Sequence, residues 1–267
     1  MSASIAAGGP RIALGNTGTM LHRSLRHGLR FPMMLITGLV TPVILLLMFV
    51  YIFGGALGSG AGGMPGGRTA YLDYIAPSMF LTTVCYGGGT TAVTVSVDLT
   101  EGIVDRFRTM PISKSAVLAG HVLGGVIRTL TAVGLIMAAA VGLGFRTGAS
   151  AQQWAAAIGL LVLVTVGLTW LTIAFGAAAK NPAGANTAVL PLQILPLISS
   201  AFVATSTMPA PVRIFAEYQP FTPIIDTLRG LLVGGPIGHD AWIAVAWCVA
   251  AALTGFAWSR RSFRKRT

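Results

Sequence analysis

Apolar residues along this chain come in long blocks. Runs nearly free of charge occur at roughly 33–53, 72–97, 116–145, 153–179, 184–206 and 241–259. As helices rising about 1.5 Å per residue, these six runs are each long enough to cross a hydrocarbon layer of about 30 Å. A soluble helix instead repeats its apolar positions every three or four residues around a single buried face. The pattern therefore predicts an all-α membrane protein of six transmembrane helices, forming one transmembrane domain over 1–267. An even number of crossings places both termini on the same side.

The segments between the blocks carry their own signals. Within the leader 1–32, Leu21, Leu25 and Leu29 recur every four residues, with His22, Arg23, Arg26, His27 and Arg30 taking the other side. Pro32 then marks the turn into the first span. This is the pattern of an N-terminal amphipathic helix lying on the membrane interface, the alternative being a polar lead-in. Gly54–Gly67 holds eight glycines but no Gly-Lys-Ser/Thr follows, so it reads as a flexible external loop and not a phosphate cradle. Before the last span, 207–240 predicts two short external helices that dip toward the bilayer. Pro209 and Pro211 precede a helix containing Arg213, Ile214, Phe215 and Ala216. Thr222 as N-cap, Pro223 at the first helical position and closing Gly234 and Gly235 predict a second helix over 223–233. At about 15 Å that helix is too short to cross. Asp226 and Arg229, three residues apart, are placed to pair.

Charge fixes the orientation. With both termini cytoplasmic, thirteen basic residues fall on the inner side, including Arg260, Arg261, Arg264, Lys265 and Arg266 in the tail 260–267, against four outside: Arg68, Arg146, Arg213 and Arg229. The net charge of +11 thus lies where lipid headgroups would meet it, and nucleic acid is not needed to explain it. Composition agrees, since 9% charged residues is far below the roughly one quarter of a soluble domain. Cys85 and Cys248 sit inside apolar blocks as small hydrophobes and form no disulfide framework. The first block follows about thirty mostly polar residues and is too long for a signal-peptide core, so it is expected to be retained.

Little in the chain can do covalent chemistry. Four histidines and seven carboxylates show no metal-ligand spacing, and none of the three lysines sits in a phosphate-binding loop. No catalytic residue and no metal site is predicted. Any ATP hydrolysis has to come from another polypeptide.

The densest charged passage lies between the second and third runs. Asp98, Glu101 and Asp105 adjoin Arg106, Phe107 and Arg108, and Pro111 ends the segment. A helix of both charge signs with one exposed aromatic suits docking into a partner's groove; a solvated loop is the alternative. The passage Glu101–Ser113, continuing through Ala116–Gly120, resembles the cytoplasmic loop of ABC type-2 transporter permeases, and is most similar to the daunorubicin/doxorubicin-resistance (drug and lipid exporter) branch. Gln219–Pro223 followed by Leu228–Leu232 resembles the external segment of the same family, and the span count and basic leader agree. The resemblance implies that the loop is a coupling helix in which Glu101, Asp105, Arg106, Phe107 and Arg108 contact a cytoplasmic ATPase subunit. It also implies that two permeases and two ATPases assemble, as a homodimer or with a related subunit, and that ATP and Mg are bound by the ATPase and not by this chain.

Polar residues within the runs complete the candidates. Asn186, Gln193 and Ser200 recur every seven residues on the fifth run, and Thr83, Gly87, Thr90 and Thr94 share one face of the second. Each stripe suits a translocation pathway or dimer seam, or alternatively packing within one subunit. Lys114, His121 and Arg128 also recur every seven residues, and an arginine near mid-bilayer costs about 2.5 kcal/mol or more to insert. These three suggest an inward vestibule for anionic or amphiphilic substrate, or a helix projecting so that Arg128 reaches the headgroups. The sequence thus points to the membrane subunit of an ATP-driven exporter in a bacterial plasma membrane, moving a hydrophobic or amphiphilic drug, lipid or natural product. The alternatives are an ion-coupled secondary transporter, for which an acid near mid-membrane is wanting, and a non-transporting scaffold.

Overall fold

The computed structural model describes residues 32–54, 67–100 and 114–266, with side-chain surroundings for 40–54, 67–100 and 119–262. Among these residues there are eight α-helices and no strand: α1 Pro32–Met48, α2 Gly67–Thr100, α3 Lys114–Gly142, α4 Ala151–Ala178, α5 Pro182–Ile194, α6 Ala210–Tyr218, α7 Phe221–Leu232 and α8 Asp240–Arg266. A π-turn, Phe49–Phe53, continues α1, and a 3-10 turn, Leu195–Ile198, continues α5. The amphipathic helix expected in the leader, most of the glycine loop and the charged segment 101–113 lie outside the described residues.

Three helical stretches are both long and apolar enough to cross a membrane: Ala119–Gly142, Ala151–Ala178 and Asp240–Ser262. They fall in the third, fourth and sixth predicted runs. Val40–Phe53 and Pro182–Ile198 are apolar but shorter. The fifth run therefore stops short of the predicted 206. Pro191 within α5 and Pro196 within the following turn each lack an N–H for the helical ladder, and Ser199 leaves the helix in an extended conformation. At the other end of the chain, α8 continues past 259 through the basic residues to Arg266.

The second run becomes the longest helix, 34 residues and about 50 Å. Its sequence is rich in threonine and glycine because α2 occupies the centre of the bundle, where it packs against α1, α3, α4, α5 and α7. Leu72, Ile75, Met79, Phe80 and Leu81 on α2 are wholly buried, and Phe80 meets Phe145 edge to face. The α4 helix packs on α2 and carries α8 along its other side. A reciprocal capping box starts α4, with Gln153 N donating to Ser150 Oγ and Ser150 N donating to the Gln153 side chain.

The two short helices expected before the last run both form, with one correction. The second helix starts at Phe221, with Pro220 in the capping position, and Thr222 does not cap it. The Thr222 hydroxyl instead donates to the carbonyl of Ala216 on α6 and accepts from Ser200 N at 3.4 Å, tying three segments together. The helix ends at Leu232, and Gly234 follows with φ +98°, a left-handed turn that glycine adopts freely. Far from being a surface ornament, α7 is mostly buried and packs on α2, α4 and α8.

Close helix approach depends on glycine where helix backbones meet, as at Gly176 and Gly255. A side chain on Gly176 of α4 would collide with the backbone of Ala92 on α2, and one on Gly255 of α8 with the backbone of Leu171 on α4. By contrast, Gly159 of α4 faces open space. Gly176→Leu should therefore destabilise the protein by about 1–3 kcal/mol or more through overpacking. Gly159→Leu should leave the thermal unfolding midpoint in detergent unchanged, and equal midpoints for the two variants would refute the contact.

Candidate functional site

Three polar clusters interrupt the apolar bundle. The first lies along α2. Thr83 Oγ1 donates to Met79 O at 2.7 Å, Thr90 to Gly87 O at 2.8 Å and Thr94 to Thr90 O at 2.8 Å. Each hydroxyl thus spends its proton on its own helix, which lowers the cost of burial in an apolar setting. Thr83 is fully buried, whereas Thr90 and Thr94 are half-buried.

The second cluster joins α2 to α3. Arg128, near the middle of α3, donates from Nη2 to Thr91 Oγ1 at 3.0 Å. Thr91 passes its own proton to Gly87 O at 3.1 Å, using the donor and acceptor capacity of one hydroxyl. Arg128 Nε is buried and has no hydrogen-bond partner among the described residues. Seven residues earlier on α3, His121 Nε2 lies 3.4 Å from Asp98 Oδ2, which is seven residues beyond Thr91 on α2. Two polar contacts one heptad apart therefore register the antiparallel helices. Lys114, the third member of the predicted basic stripe, begins α3; its side chain lies outside the described residues, as do Glu101, Asp105, Arg106, Phe107 and Arg108.

The predicted stripe on the fifth run divides into two environments. Asn186 is exposed on α5, and Gln193 is half-buried, its amide occupying the space that a side chain on Gly89 of α2 would need. Ser200 lies beyond the end of the helix, so it does not continue their face; it is buried and belongs to the third cluster.

That third cluster centres on Arg229 of α7. Its Nη1 meets Asp226 Oδ1 at 2.6 Å, its Nε donates to Tyr74 O at 3.1 Å and its Nη2 donates to Ser200 O at 2.8 Å, with Ser78 Oγ at 3.4 Å. The guanidinium also stacks 3.8 Å from the Tyr74 ring centroid, in cation–π range. Ser200 Oγ donates to Asp226 at 2.8 Å, and Tyr74 Oη donates to Ser200 O at 2.8 Å. The expected Asp226–Arg229 pair forms, but it is one edge of a network joining α7, α2 and the turn after α5. Sequence reasoning missed Tyr74 and Ser78. Their one available signal was their spacing of one helical turn near the start of the second run.

Residues 16–233 match the family described as ABC-2 type transporter. The daunorubicin resistance ABC transporter permease protein DrrB1 of Streptomyces coeruleorubidus is 29% identical over 242 residues, covering 90% of this chain and 82% of that protein. A probable doxorubicin resistance ABC transporter permease protein, DrrC of Mycobacterium tuberculosis, is 22% identical over 193 residues, 70% of each chain. The family match extends over the second half of the leader, both short helices and every polar cluster described above. This all-helical chain is a membrane permease that belongs to the ABC-2 type transporter family.

Proposed function

We propose that this chain is the membrane subunit of an ATP-driven exporter that moves a hydrophobic or amphiphilic compound across a bacterial plasma membrane. What supports this reading above all is the similarity, over 90% of the chain, to a permease named for daunorubicin resistance. In this proposal six segments cross the bilayer, both termini are cytoplasmic and the leader lies on the inner surface. Export is driven by a separate ATPase that binds ATP and Mg. Glu101, Asp105, Arg106, Phe107 and Arg108 receive the motion of that ATPase, and a second permease completes the transporter.

The polar clusters take distinct parts in the proposed cycle. Lys114, His121 and Arg128 form an inward vestibule, and the unspent Arg128 Nε is the group that an anionic or electron-rich substrate atom would engage. Asn186 and Gln193, together with Thr90 and Thr94, form the path or the seam between subunits, where a second copy or water satisfies the α5 amides. Thr83 and Ser200 lie beside that path. Arg229 holds α7 closed against α2 and opposes premature opening on the far side.

The decisive test is purification of the complex from its native host followed by reconstitution. An ATPase subunit should copurify, and ATP alone should drive substrate movement in vesicles with ion gradients collapsed. Movement that needs a proton or sodium gradient and ignores ATP would overturn the proposal in favour of an ion-coupled carrier.

Two substitutions separate transport from folding. Arg128→Leu removes one hydrogen bond and one unsatisfied donor, so stability should change by no more than about 1 kcal/mol. Transport of anionic or amphiphilic compounds should nevertheless fall at least about tenfold, the equivalent of about 1.4 kcal/mol in transition-state binding. Undiminished transport of every substrate tried would remove the vestibule. Arg229→Leu should instead lower unfolding stability by about 1.5–3 kcal/mol, since it leaves the partly buried Asp226 without its charged partner. An unchanged denaturation midpoint would show that the network does not hold α7.

A further inference from the structure

Arg128 brings a charge into α3 that no described residue balances. The ion pairs between described residues join His121 to Asp98 and Arg229 to Asp226, and neither includes it. Its hydrogen bond runs from Nη2 to a neutral hydroxyl, Thr91 Oγ1, and the buried Nε has no partner among the described residues. A guanidinium partly withdrawn from water with no counter-charge is costly, and an anion that reaches it recovers that cost. The ligand atom this fits is a carboxylate or phosphate oxygen, which bonds a charged N–H more strongly than a neutral acceptor does.

Thr91 decides how that charge is presented. It is buried, and its own proton goes to Gly87 O at 3.1 Å, so toward α3 it offers only a lone pair. Gly125, one turn before Arg128, makes room for it. The first carbon of a side chain there would lie 3.0 Å from Thr91 Oγ1, 3.2 Å from the Thr91 methyl and 3.2 Å from the methyl of Thr169 on α4. Wedged in this way, the hydroxyl holds one end of the guanidinium but has no proton of its own for an anion. We propose that Thr91 is a positioning residue that sets specificity: it fixes Arg128 with Nε open to a carboxylate or phosphate oxygen of an amphiphilic substrate, so that anionic amphiphiles are preferred over neutral ones. This role rests on the reading of Arg128 as part of an inward vestibule.

A pair of probes that differ only in charge tests this. The full-length protein is reconstituted in phosphatidylcholine vesicles, and binding of the fluorescent fatty acid dansyl-aminoundecanoate is compared with binding of its uncharged methyl ester. The carboxylate should bind at least about tenfold more tightly than the ester. Thr91→Val removes the hydroxyl at similar shape and should lower that ratio at least about threefold, the worth of one hydrogen bond, whereas Thr91→Ser keeps the hydroxyl and should keep the ratio. If Thr91→Val fails to fold, Gly125→Ala crowds the same hydroxyl and should lower the ratio likewise. Equal binding of acid and ester by the unaltered protein would overturn the proposal. A ratio unchanged in folded Thr91→Val but lost in Arg128→Leu would also overturn it, leaving the vestibule in place without Thr91, and a ratio undiminished in Arg128→Leu would overturn the vestibule itself. Displacement of the probe by inorganic phosphate would assign the charge to a free anion, and displacement by phosphatidylglycerol that ATP does not move would assign it to a resident lipid headgroup. Either result overturns the proposal.

Discussion

Polar atoms surrounded by hydrocarbon have to be satisfied from within the protein, and the arrangement of this chain follows from how α2 meets that demand. A helix running through the centre of a bundle touches neighbours on every side, so it needs small residues for close approach. Each hydroxyl that comes with them also needs a place for its proton. Threonine meets both conditions: its methyl fills a gap while its hydroxyl returns the proton to the preceding turn, as Thr82, Thr83, Thr90, Thr91 and Thr94 all do. What is left over is specific. Thr91 retains acceptor capacity, and Arg128 uses it.

The same demand explains why α7 can sit deep in the bundle without crossing it. A short helix entering an apolar region brings unpaired backbone groups and, here, a charged pair. Arg229 resolves this by binding both its own Asp226 and the carbonyls of Tyr74 and Ser200, groups exposed by the end of one helix and the course of another. The cluster is thus less an ion pair than a plug for backbone acceptors. Its charged members are held by geometry contributed from three separate parts of the chain.

Much of this was legible in the sequence because it rests on composition and spacing. Block length gave the helical class and the positions of the long apolar helices, and proline and glycine placed the two short helices to within a few residues. The family resemblance rested on motifs at 101–120 and 219–232, both inside the matched region. Periodicity failed where a helix ended. Asn186, Gln193 and Ser200 are evenly spaced, but Pro191 and Pro196 stop the helix before Ser200, which therefore pairs with α7. The role of Thr222 was misjudged because capping is a local rule, whereas its hydroxyl was claimed by a carbonyl on the preceding helix. Tyr74 and Ser78 escaped notice since their one-turn spacing alone says little; only tertiary contact brings a distant arginine to their carbonyl and hydroxyl.

The two rungs between α2 and α3, Thr91 with Arg128 and Asp98 with His121, bear on how this hairpin can transmit force. They repeat at the same interval on both helices, so axial slippage by a single turn would break both at once. Tilting or swinging the pair as a unit disturbs neither. In the proposed cycle, a push at the connecting end would therefore move the two helices together, with no telescoping between them.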